Sequence, residues 1–398
     1  MSRTAATREE RVLVLQGGGA LGAYQAGVYQ ALHETQFEPD WIAGISIGAI
    51  NSALIAGNPP ERRIARLREF WETISSALVA PINVMDGIFR APLNEASAMH
   101  SLVFGVPGFF TPRVPPPHLQ PEGTIAAISY YDTGPLERTL EQLVDFDLLN
   151  SGRVRLSVGA VSVRSGNFAY FDSAKQRIDV RHIMASGALP PGLPPVQIDD
   201  EYYWDGGLVS NTPLQYTLEQ YGERHRVVFQ VDLFPARGEL PASIMDVNQR
   251  EKDIRYSSRT RLNTKMQLER QLIIKAAHRL LDKLPPELRD DPDARALANL
   301  RSECRGIDVV HLIYRTKQYE GEAKDYEFSR LSMEEHWQAG YADMRDTLQD
   351  PRWTERQPND NTIRVFDLTR DKEQLPETRP GVASMTVPHP SAQKGISS

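Results

Sequence analysis

The stretch WIAGISIGAINS at residues 41–52 carries the pattern that decides the fold. A short apolar approach leads into Ser46, which stands between Gly44 and Gly48, and a second apolar run, Ile47–Ala56, follows. Glycine is unfavourable inside both strands and helices, so a pair of glycines around one serine indicates a sharp strand-to-helix turn. In a Gly-x-Ser-x-Gly turn the serine hydroxyl is held clear of the backbone, where it can act as a nucleophile.

A similar unit precedes this one. The run RVLVL at 11–15 reads as a buried strand, and Gly17, Gly18 and Gly19 end it. Apolar residues then recur at helical spacing from Ala20 to Leu32. Two consecutive units of strand, tight loop and helix predict an α/β fold with a mainly parallel central sheet and helices on its faces. Ligands of such sheets bind at the carboxyl ends of the strands, where both glycine loops fall.

Further along the chain, hydrophobic periodicity predicts additional elements. The predicted strands are 154–163, 168–171, 202–204, 227–233 and 307–314, and the predicted helices are 61–78, one starting at Asp132 or Thr133, 243–284 and 333–348. Residues 79–123 are rich in proline and apolar residues, and we expect them to be irregular. Beyond Pro351 the composition turns polar, which predicts a mostly disordered tail with a short strand at 362–368.

Composition excludes several classes of protein. The 398 residues carry a net charge of −7, which gives no reason to expect nucleic-acid binding. One cysteine, Cys304, excludes an intramolecular disulfide and a multi-cysteine metal site. Neither a signal-peptide pattern nor a run of about 18 apolar residues occurs, so we expect a cytoplasmic protein without a membrane span.

The glycine loop has three possible interpretations. Gly17, Gly19 and Gly22 satisfy the dinucleotide pattern G-x-G-x-x-G, but the acid Asp40 precedes the second predicted strand instead of ending it. Unpaired N–H groups at a helix start can also hold a phosphate or the oxyanion of an acyl intermediate. A tight structural turn is the third reading, and the loop alone does not choose among them.

A serine nucleophile needs a base, and the histidines after Ser46 do not stand in convincing loop positions. His225 and His311 remain as candidates for a histidine-assisted esterase acting on soluble or hydroxyacyl esters. The segment EYYWDGGLVSNTPL at 201–214 offers a carboxylate instead, because Asp205 ends an aromatic strand and Gly206 and Gly207 turn the chain at once. An aspartate before two glycines is also an ordinary turn.

Taken together, these segments resemble the patatin-like phospholipase family. Its glycine-rich segment is matched by GGGALGAYQAGV at 17–28, its serine elbow by GISIG at 44–48 and its acid motif by Asp205-Gly206-Gly207. ASGALPPGLPPV at 185–196 is similar to a further family segment. Residues 240–350 resemble a C-terminal extension found in a bacterial subgroup of the family.

The resemblance implies a three-layer patatin-like fold at 10–238, a largely helical extension at 239–350 and the tail at 351–398. It implies hydrolysis of lipid or other acyl esters, with Ser46 as nucleophile and Asp205 as base. The oxyanion hole would be formed by N–H groups of Gly17, Gly18 and Gly19, while the motif glycines support the turns; these are Gly22, Gly44, Gly48, Gly206 and Gly207. It implies no metal, no nucleotide and no other cofactor.

Two segments have open roles, and the sequence leaves the oligomeric state undecided. The apolar segment 103–110 suits plain packing, or else a lid, an acyl pocket wall or a membrane-facing patch. The helical stretch from Arg250 to Lys283 holds ten Lys or Arg against four acids. A solvated helix face explains this charge, and peripheral docking to anionic lipid or to a partner is the alternative.

Overall fold

The computed structural model describes residues 9–35, 37–77, 90–220, 224–300, 306–317, 319–357 and 363–368. The strands are β1 (Glu10–Leu15), β2 (Trp41–Gly44), β3 (Thr111–Pro112), β4 (Tyr131–Asp132), β5 (Arg155–Ser162), β6 (Phe168–Asp172), β7 (Val196–Ile198), β8 (Glu201–Asp205), β9 (Arg226–Asp232), β10 (Ile307–Ile313) and β11 (Ile363–Phe366). The helices are α1 (Ala23–Glu34), α2 (Ile47–Ala56), α3 (Pro60–Ile74), α4 (Arg90–Phe104), α5 (Gly134–Leu143), α6 (Phe146–Leu149), α7 (Val180–Ser186), α8 (Leu214–Glu219), α9 (Ile244–Tyr256), α10 (Thr260–Leu281), α11 (Pro292–Ala298), α12 (Arg330–Gln349) and α13 (Pro351–Thr354). Across these described ranges, every helix is too short or too polar to cross a bilayer.

Within the described residues a nine-stranded sheet forms the centre of the fold. Its order is β11-β10-β9-β1-β2-β5-β8-β7, and β6 also pairs with β5. The strands from β11 to β5 are parallel, whereas β6 and β8 run antiparallel to β5. The two strand–loop–helix units predicted from the sequence are confirmed as β1–α1 and β2–α2, and the predicted α/β class with a mainly parallel sheet is confirmed with them.

Apolar side chains on both faces of the sheet produce three layers. In β1, Leu13 and Leu15 face the larger core, which α1, α2, α3 and α12 cover. Val12 and Val14 face the opposite side, where α8 packs with α10 beside it. A strand that is apolar on both faces must be covered on both, as is typical of parallel sheets.

The C-terminal extension is largely helical, and it also completes the central sheet. Strand β10 lies between β9 and β11 in parallel register. Helix α12 packs along α1, where the Tyr24 hydroxyl donates to Asp343 at 2.8 Å and the Trp337 indole N–H donates to Gln30 at 2.6 Å. The extension therefore shares the sheet and the core of the N-terminal half.

Helix α4 corrects the expectation that residues 79–123 are irregular, although 78–89 lie outside the described residues. The predicted helix 243–284 is likewise two helices, because the backbone is extended at Ser257. In the second of them, α10, the buried residues are Thr260, Gln271, Ile274 and Ala277, a mixed side with a single large apolar residue. The sequence shows an approximate apolar stripe along this stretch at Leu262, Met266, Ile273, Leu280 and Leu284, but the first four of these side chains are exposed.

The start of the tail is ordered, which corrects the expected disorder for 351–357. Trp353 is buried, and the Arg356 guanidinium stacks 3.7 Å from its ring and pairs with Glu9 at 3.0 Å. Strand β11 confirms the short strand expected at 362–368. The remainder of the predicted disordered tail, 358–362 and 369–398, lies outside the described residues.

Candidate active site

Ser46 occupies the turn between β2 and α2 in a strained backbone conformation. Its φ is 56° and its ψ is −124°, a backbone region that residues other than glycine rarely adopt. Residues 41–45 and 47–58 are buried, whereas Ser46 is partly exposed. Strain of this kind is concentrated at functional sites, and here it presents one hydroxyl at the carboxyl end of the sheet.

The two flanking glycines are required by close backbone approaches. A Cβ at Gly44 would lie 2.3 Å from the Gly48 carbonyl oxygen, and a Cβ at Gly48 would lie 2.4 Å from the Leu15 carbonyl oxygen. Both distances are far shorter than a van der Waals contact. The elbow can therefore close against β1 because these positions carry no side chain.

Ser186 fixes the elbow from the far side. The Ser46 N–H points to Ser186, with its carbonyl oxygen at 3.1 Å and its Oγ also at 3.1 Å. The buried Ser186 hydroxyl in turn donates to the Gly159 carbonyl oxygen at 2.7 Å. Ser186 lies in the segment ASGALPPG, which the sequence analysis matched to a family segment without assigning a role to this serine.

Asp205 reaches Ser46 through the register of the sheet. Strand β5 pairs with β2 so that Val158 lies beside Gly44, and it pairs with β8 so that Ala160 lies beside Asp205. The ends of β2 and β8 therefore meet at one edge of the sheet. There the Ser46 hydroxyl lies near enough to the Asp205 carboxyl to favour its charged form.

The Asp205 carboxyl is almost fully buried, with 2% of its surface exposed. Burial raises the pKa of this carboxyl from 3.8 to about 7, and the Gly207 N–H and the nearby Ser46 side chain oppose the rise. The Gly207 N–H lies 2.7 Å from Oδ1. A carboxylate with this pKa is a far stronger base than an ordinary aspartate.

The glycine loop separates into a buried and an open part. The Gly17 N–H donates to the Asn211 carbonyl oxygen at 3.1 Å, so it is not free for a ligand, which corrects the expectation that Gly17 contributes to an oxyanion hole. Gly18 and Gly19 are partly exposed, and their N–H groups have no acceptor among the residues that the structure describes. At Gly19, φ is 53° and a Cβ would lie 2.0 Å from the Asp325 carbonyl oxygen of the extension.

The other two motif glycines fill tight positions around the elbow. A Cβ at Gly22 would lie 2.5 Å from a side-chain carbon of Ile47, next to Ser46. A Cβ at Gly206 would lie 2.7 Å from the Gly159 carbonyl oxygen, the group that Ser186 also binds. All motif glycines are thus brought into one region around Ser46 and Asp205.

Asn211 and Gln16 hold the glycine loop, and the sequence reasoning missed both. The Asn211 side-chain amide donates to the Gly17 and Tyr256 carbonyl oxygens, at 3.0 Å each. The Gln16 amide donates to the Tyr256 carbonyl oxygen at 2.9 Å, and its oxygen accepts from the Leu233 N–H at 2.6 Å. Asn211 stands in the VSNTPL stretch just after the acid motif. This position beside the motif was the sequence signal that could have identified it.

The histidines and the acid that the sequence offered as alternatives to the Ser46–Asp205 site are paired with other groups. His225 pairs with Glu9 and Asp308 at the amino ends of the strands, and His311 pairs with Asp232 at 2.6 Å. Within the described ranges, no histidine hydrogen-bonds to Ser46 or Asp205. Asp40 precedes β2 and accepts from the Arg11 N–H at 3.0 Å, at the opposite end of the sheet from the glycine loop.

A nucleotide or metal role has little support from this geometry. Because β1 and β2 are parallel, the loop after β1 and an acid before β2 cannot meet around a ribose. Among the described residues, no group of three or more His, Cys, Asp or Glu side chains is placed to bind a metal ion.

Comparison with known proteins gives the same family for both halves of the chain. A family model described as patatin-like phospholipase matches residues 13–218, and one described as patatin phospholipase matches 254–360. The putative patatin-like phospholipase domain-containing protein M110.7 of Caenorhabditis elegans is 41% identical over 59 residues. That match covers 15% of this chain and 5% of the relative, so the chain spans a small part of the length of this curated relative.

Two solved structures show distant likeness. VipD from Legionella pneumophila has 16% sequence identity and a TM-score of 0.38, over 86% of this chain and 67% of that one. Full-length ExoU from Pseudomonas aeruginosa, solved in complex with SpcU, has 16% identity and a TM-score of 0.26, over 73% of this chain and 61% of that one.

The matches explain the order of the motifs along the chain. The first model covers more than half of the 398 residues and contains the glycine loop, the serine elbow and the Asp-Gly-Gly turn. The second covers most of the extension, as the resemblance at 240–350 predicted. The chain belongs to the patatin-like phospholipase family, whose members are lipid ester hydrolases.

Proposed function

We propose that this protein is a lipid acyl hydrolase that works through a Ser46–Asp205 dyad and an acyl-serine intermediate. The observation that carries the proposal is that a serine on a strained, partly exposed turn and a buried carboxylate are brought together by the sheet register, close enough for the serine to affect the pKa of the carboxyl. Burial that raises the pKa of Asp205 to about 7 makes this carboxylate a competent base near neutral pH.

In the first half-reaction, Ser46 Oγ attacks the ester carbonyl carbon while Asp205 takes the hydroxyl proton. The C–O bond to the alcohol then breaks, and the protonated Asp205 returns its proton to the leaving alkoxide. In the second half-reaction, Asp205 takes a proton from water, whose oxygen attacks the acyl-serine. Collapse of that intermediate breaks the C–O bond to Ser46, and the protonated Asp205 returns its proton to Ser46 Oγ, which gives the carboxylic acid and the free Ser46 hydroxyl.

The oxyanion that forms in each half-reaction needs nearby hydrogen-bond donors. We assign this role to the N–H groups of Gly18 and Gly19, which are partly exposed and follow Gly17, where a Cβ would lie 3.1 Å from the Ser46 Cβ. Gly17 instead anchors the loop through Asn211. Losing one oxyanion donor typically costs about 10²–10³ in rate, so the position of this loop matters as much as the dyad.

Apolar surroundings favour a lipid ester over a polar substrate. Leu208 and Val209 follow the acid turn and are about half exposed, and Leu189 is exposed beside the segment that holds Ser46. Together with family membership, this supports an acyl chain as the group bound near the dyad.

The test compares turnover of a soluble aryl ester and of a phospholipid by Ser46→Ala and Asp205→Asn. Each variant should lose at least about 10³-fold in kcat, because each removes an essential partner of proton transfer. Exposed residues of the same types give matched controls, Ser151→Ala and Asp200→Asn, which should keep wild-type turnover. Near-wild-type rates in either dyad variant would rule out the dyad.

Labelling identifies the nucleophile independently. A fluorophosphonate should modify Ser46, which mass spectrometry of the labelled peptide would reveal. His225→Ala and His311→Ala should label and turn over at nearly the wild-type rate, since their imidazoles pair with other carboxylates. A large loss in either variant would favour the histidine-assisted esterase.

A further inference from the structure

Helix α4 has its amphipathic character inverted. Its buried side is mainly polar and consists of Arg90, Asn94, Ser97, Ala98 and Ser101. Its outer side is mainly apolar, and it includes Met99 at 59% and Phe104 at 67% exposure, with Leu102 and Val103 between them. A helix on a water-exposed surface normally buries the apolar side, so this orientation needs a specific cause.

The polar side anchors α4 to the extension. The Arg90 guanidinium donates to Ser332 at 3.0 Å and to Glu335 at 2.8 Å, and it stacks on Tyr319. Asn94 also donates to the Tyr319 carbonyl oxygen, at 3.5 Å. Turning the helix over would expose Arg90 but break its ion pair, so these contacts keep the apolar side facing outward.

The segment 103–110 divides at the end of this helix. Val106, Phe109 and Phe110 are buried, so the second half of the segment is core packing. Val103 and Phe104 are exposed and continue the outer side of α4. The sequence left open whether this segment is plain packing or an exposed apolar surface. Its second half is packing, whereas Val103 and Phe104 at its start are exposed.

The apolar side of α4 is connected to the candidate active site. The Tyr131 hydroxyl donates to the Leu102 carbonyl oxygen at 2.8 Å, and the Tyr131 N–H donates to Gly192 at 2.9 Å. In the same segment, just before Gly192, the Ala188 carbonyl oxygen accepts a hydrogen bond from the Asp205 N–H at 3.0 Å. Exposed apolar side chains follow this path and form what we call the α4 rim: Met99, Leu102, Val103, Phe104, Tyr130 and Leu189.

The chemistry of the rim fits the acyl region of a lipid layer. Among the exposed residues of α4, Glu95 near its amino end is the one that carries a charge. A surface with so few charges offers little to a lipid head group or to a charged protein partner, whereas it can enter hydrocarbon at low cost. Tyr130 adds an aromatic ring with a polar tip, a side chain suited to the boundary between lipid and water.

We propose that the α4 rim is the surface by which this protein docks on a lipid bilayer. This inference rests on the proposed function, because an acyl-ester site beside the rim is what makes a bilayer the fitting partner rather than a second copy of the chain. Docking there would bring the partly exposed Ser46 close to esters at the bilayer surface.

The experiment measures flotation of the full chain with phosphatidylcholine vesicles in the Ser46→Ala background, so that hydrolysis does not change the vesicles. Met99→Asp/Phe104→Asp should weaken vesicle binding at least about 10-fold, because two inserted apolar side chains are replaced by charges. Met266→Asp/Ile273→Asp is the matched control, since those side chains are 55% and 66% exposed on α10. It should bind as the parent does, and circular dichroism and thermal unfolding verify that both double variants are folded.

Salt and oligomeric state complete the test. Binding that persists at about 0.5 M NaCl supports insertion of an apolar rim, since that salt screens surface charge. The proposal is overturned if the parent does not float, if both double variants float equally, or if the α10 variant alone loses binding. It is also overturned if sedimentation shows a dimer that Met99→Asp/Phe104→Asp dissociates without vesicle binding. Failure of the dyad itself would appear separately, as aryl-ester turnover by Ser46→Ala.

Discussion

The side-chain amide of Asn211 donates to the Gly17 carbonyl oxygen at 3.0 Å, while the Gly17 N–H donates to the Asn211 carbonyl oxygen at 3.1 Å. This pair of bonds ties the glycine loop after β1 to the chain that follows Asp205. The same amide reaches the Tyr256 carbonyl oxygen at the end of α9, so one side chain joins three distant segments.

Asn211→Ala should lower the kcat for an aryl ester by about 10–100-fold, since a displacement of the oxyanion donors by about 1 Å has costs of this size. KM for a small ester should change little, because Asn211 is not expected to contact it. The fluorophosphonate labelling rate should fall in parallel with kcat. Asn248→Ala, at an exposed site on α9, is the control. A rise in KM alone would contradict a positioning role.

Activity should depend on pH through Asp205. The carboxylate form is the base, and burial raises the pKa of the free enzyme's Asp205 to about 7. The kcat/KM for an aryl ester should therefore increase from pH 5 to 8, with its midpoint near pH 7. A profile that is already flat above about pH 5 would show that the carboxyl has an ordinary pKa.

The same carboxyl should reduce stability at high pH. A pKa that is higher in the folded than in the unfolded protein means that the folded state binds the proton more tightly. Its stabilising effect is present below pH 3.8 and is lost as the pH rises to about 7, up to about 4 kcal/mol. Asp205→Asn should thus have a higher Tm than the wild type at pH 8 and a similar Tm near pH 4. Equal Tm differences at both pH values would contradict this linkage.

Gly48→Ala should destabilise the protein by about 2 kcal/mol or more and remove activity. Its new Cβ would lie 2.4 Å from the Leu15 carbonyl oxygen, and relief would require the elbow to move away from β1. Urea unfolding measures the loss of stability. Gly192→Ala is the control, because its Cβ would meet the nearest atom at 3.5 Å.

The extension should be held by a buried ion pair. Lys324 is fully buried and its Nζ lies 2.7 Å from Asp253 on α9. Asp253→Asn should cost about 3–5 kcal/mol in the free energy of unfolding, since it leaves a buried ammonium without its carboxylate. Glu251→Gln removes an exposed pair with Arg255 on the same helix and should cost less than about 1 kcal/mol. Similar losses in both variants would mean that the buried pair has no special role.

Local patterns were sufficient for the elements that begin and end with strong signals. Strand β1, the glycine loop, β2, the Ser46 elbow and α2 follow from apolar runs and glycines within residues 10–56. Helix α4 was missed because proline and apolar residues obscure its periodicity, and because its polar side is the buried one. The break between α9 and α10 was missed because its residues form no proline or glycine signal.

By itself the sequence determined the α/β class, the turn that carries Ser46 and the carboxylate turn at Asp205, because steric and hydrophobic rules act on neighbouring residues. Tertiary structure alone decided that these two turns meet, since the register of β5 between β2 and β8 links residues that are 159 positions apart. It also decided that the Gly17 N–H donates to the Asn211 carbonyl oxygen and that burial makes Asp205 a stronger base. Hydrogen-bond partners and desolvation depend on what the folded chain brings alongside a residue, and no local pattern contains that information.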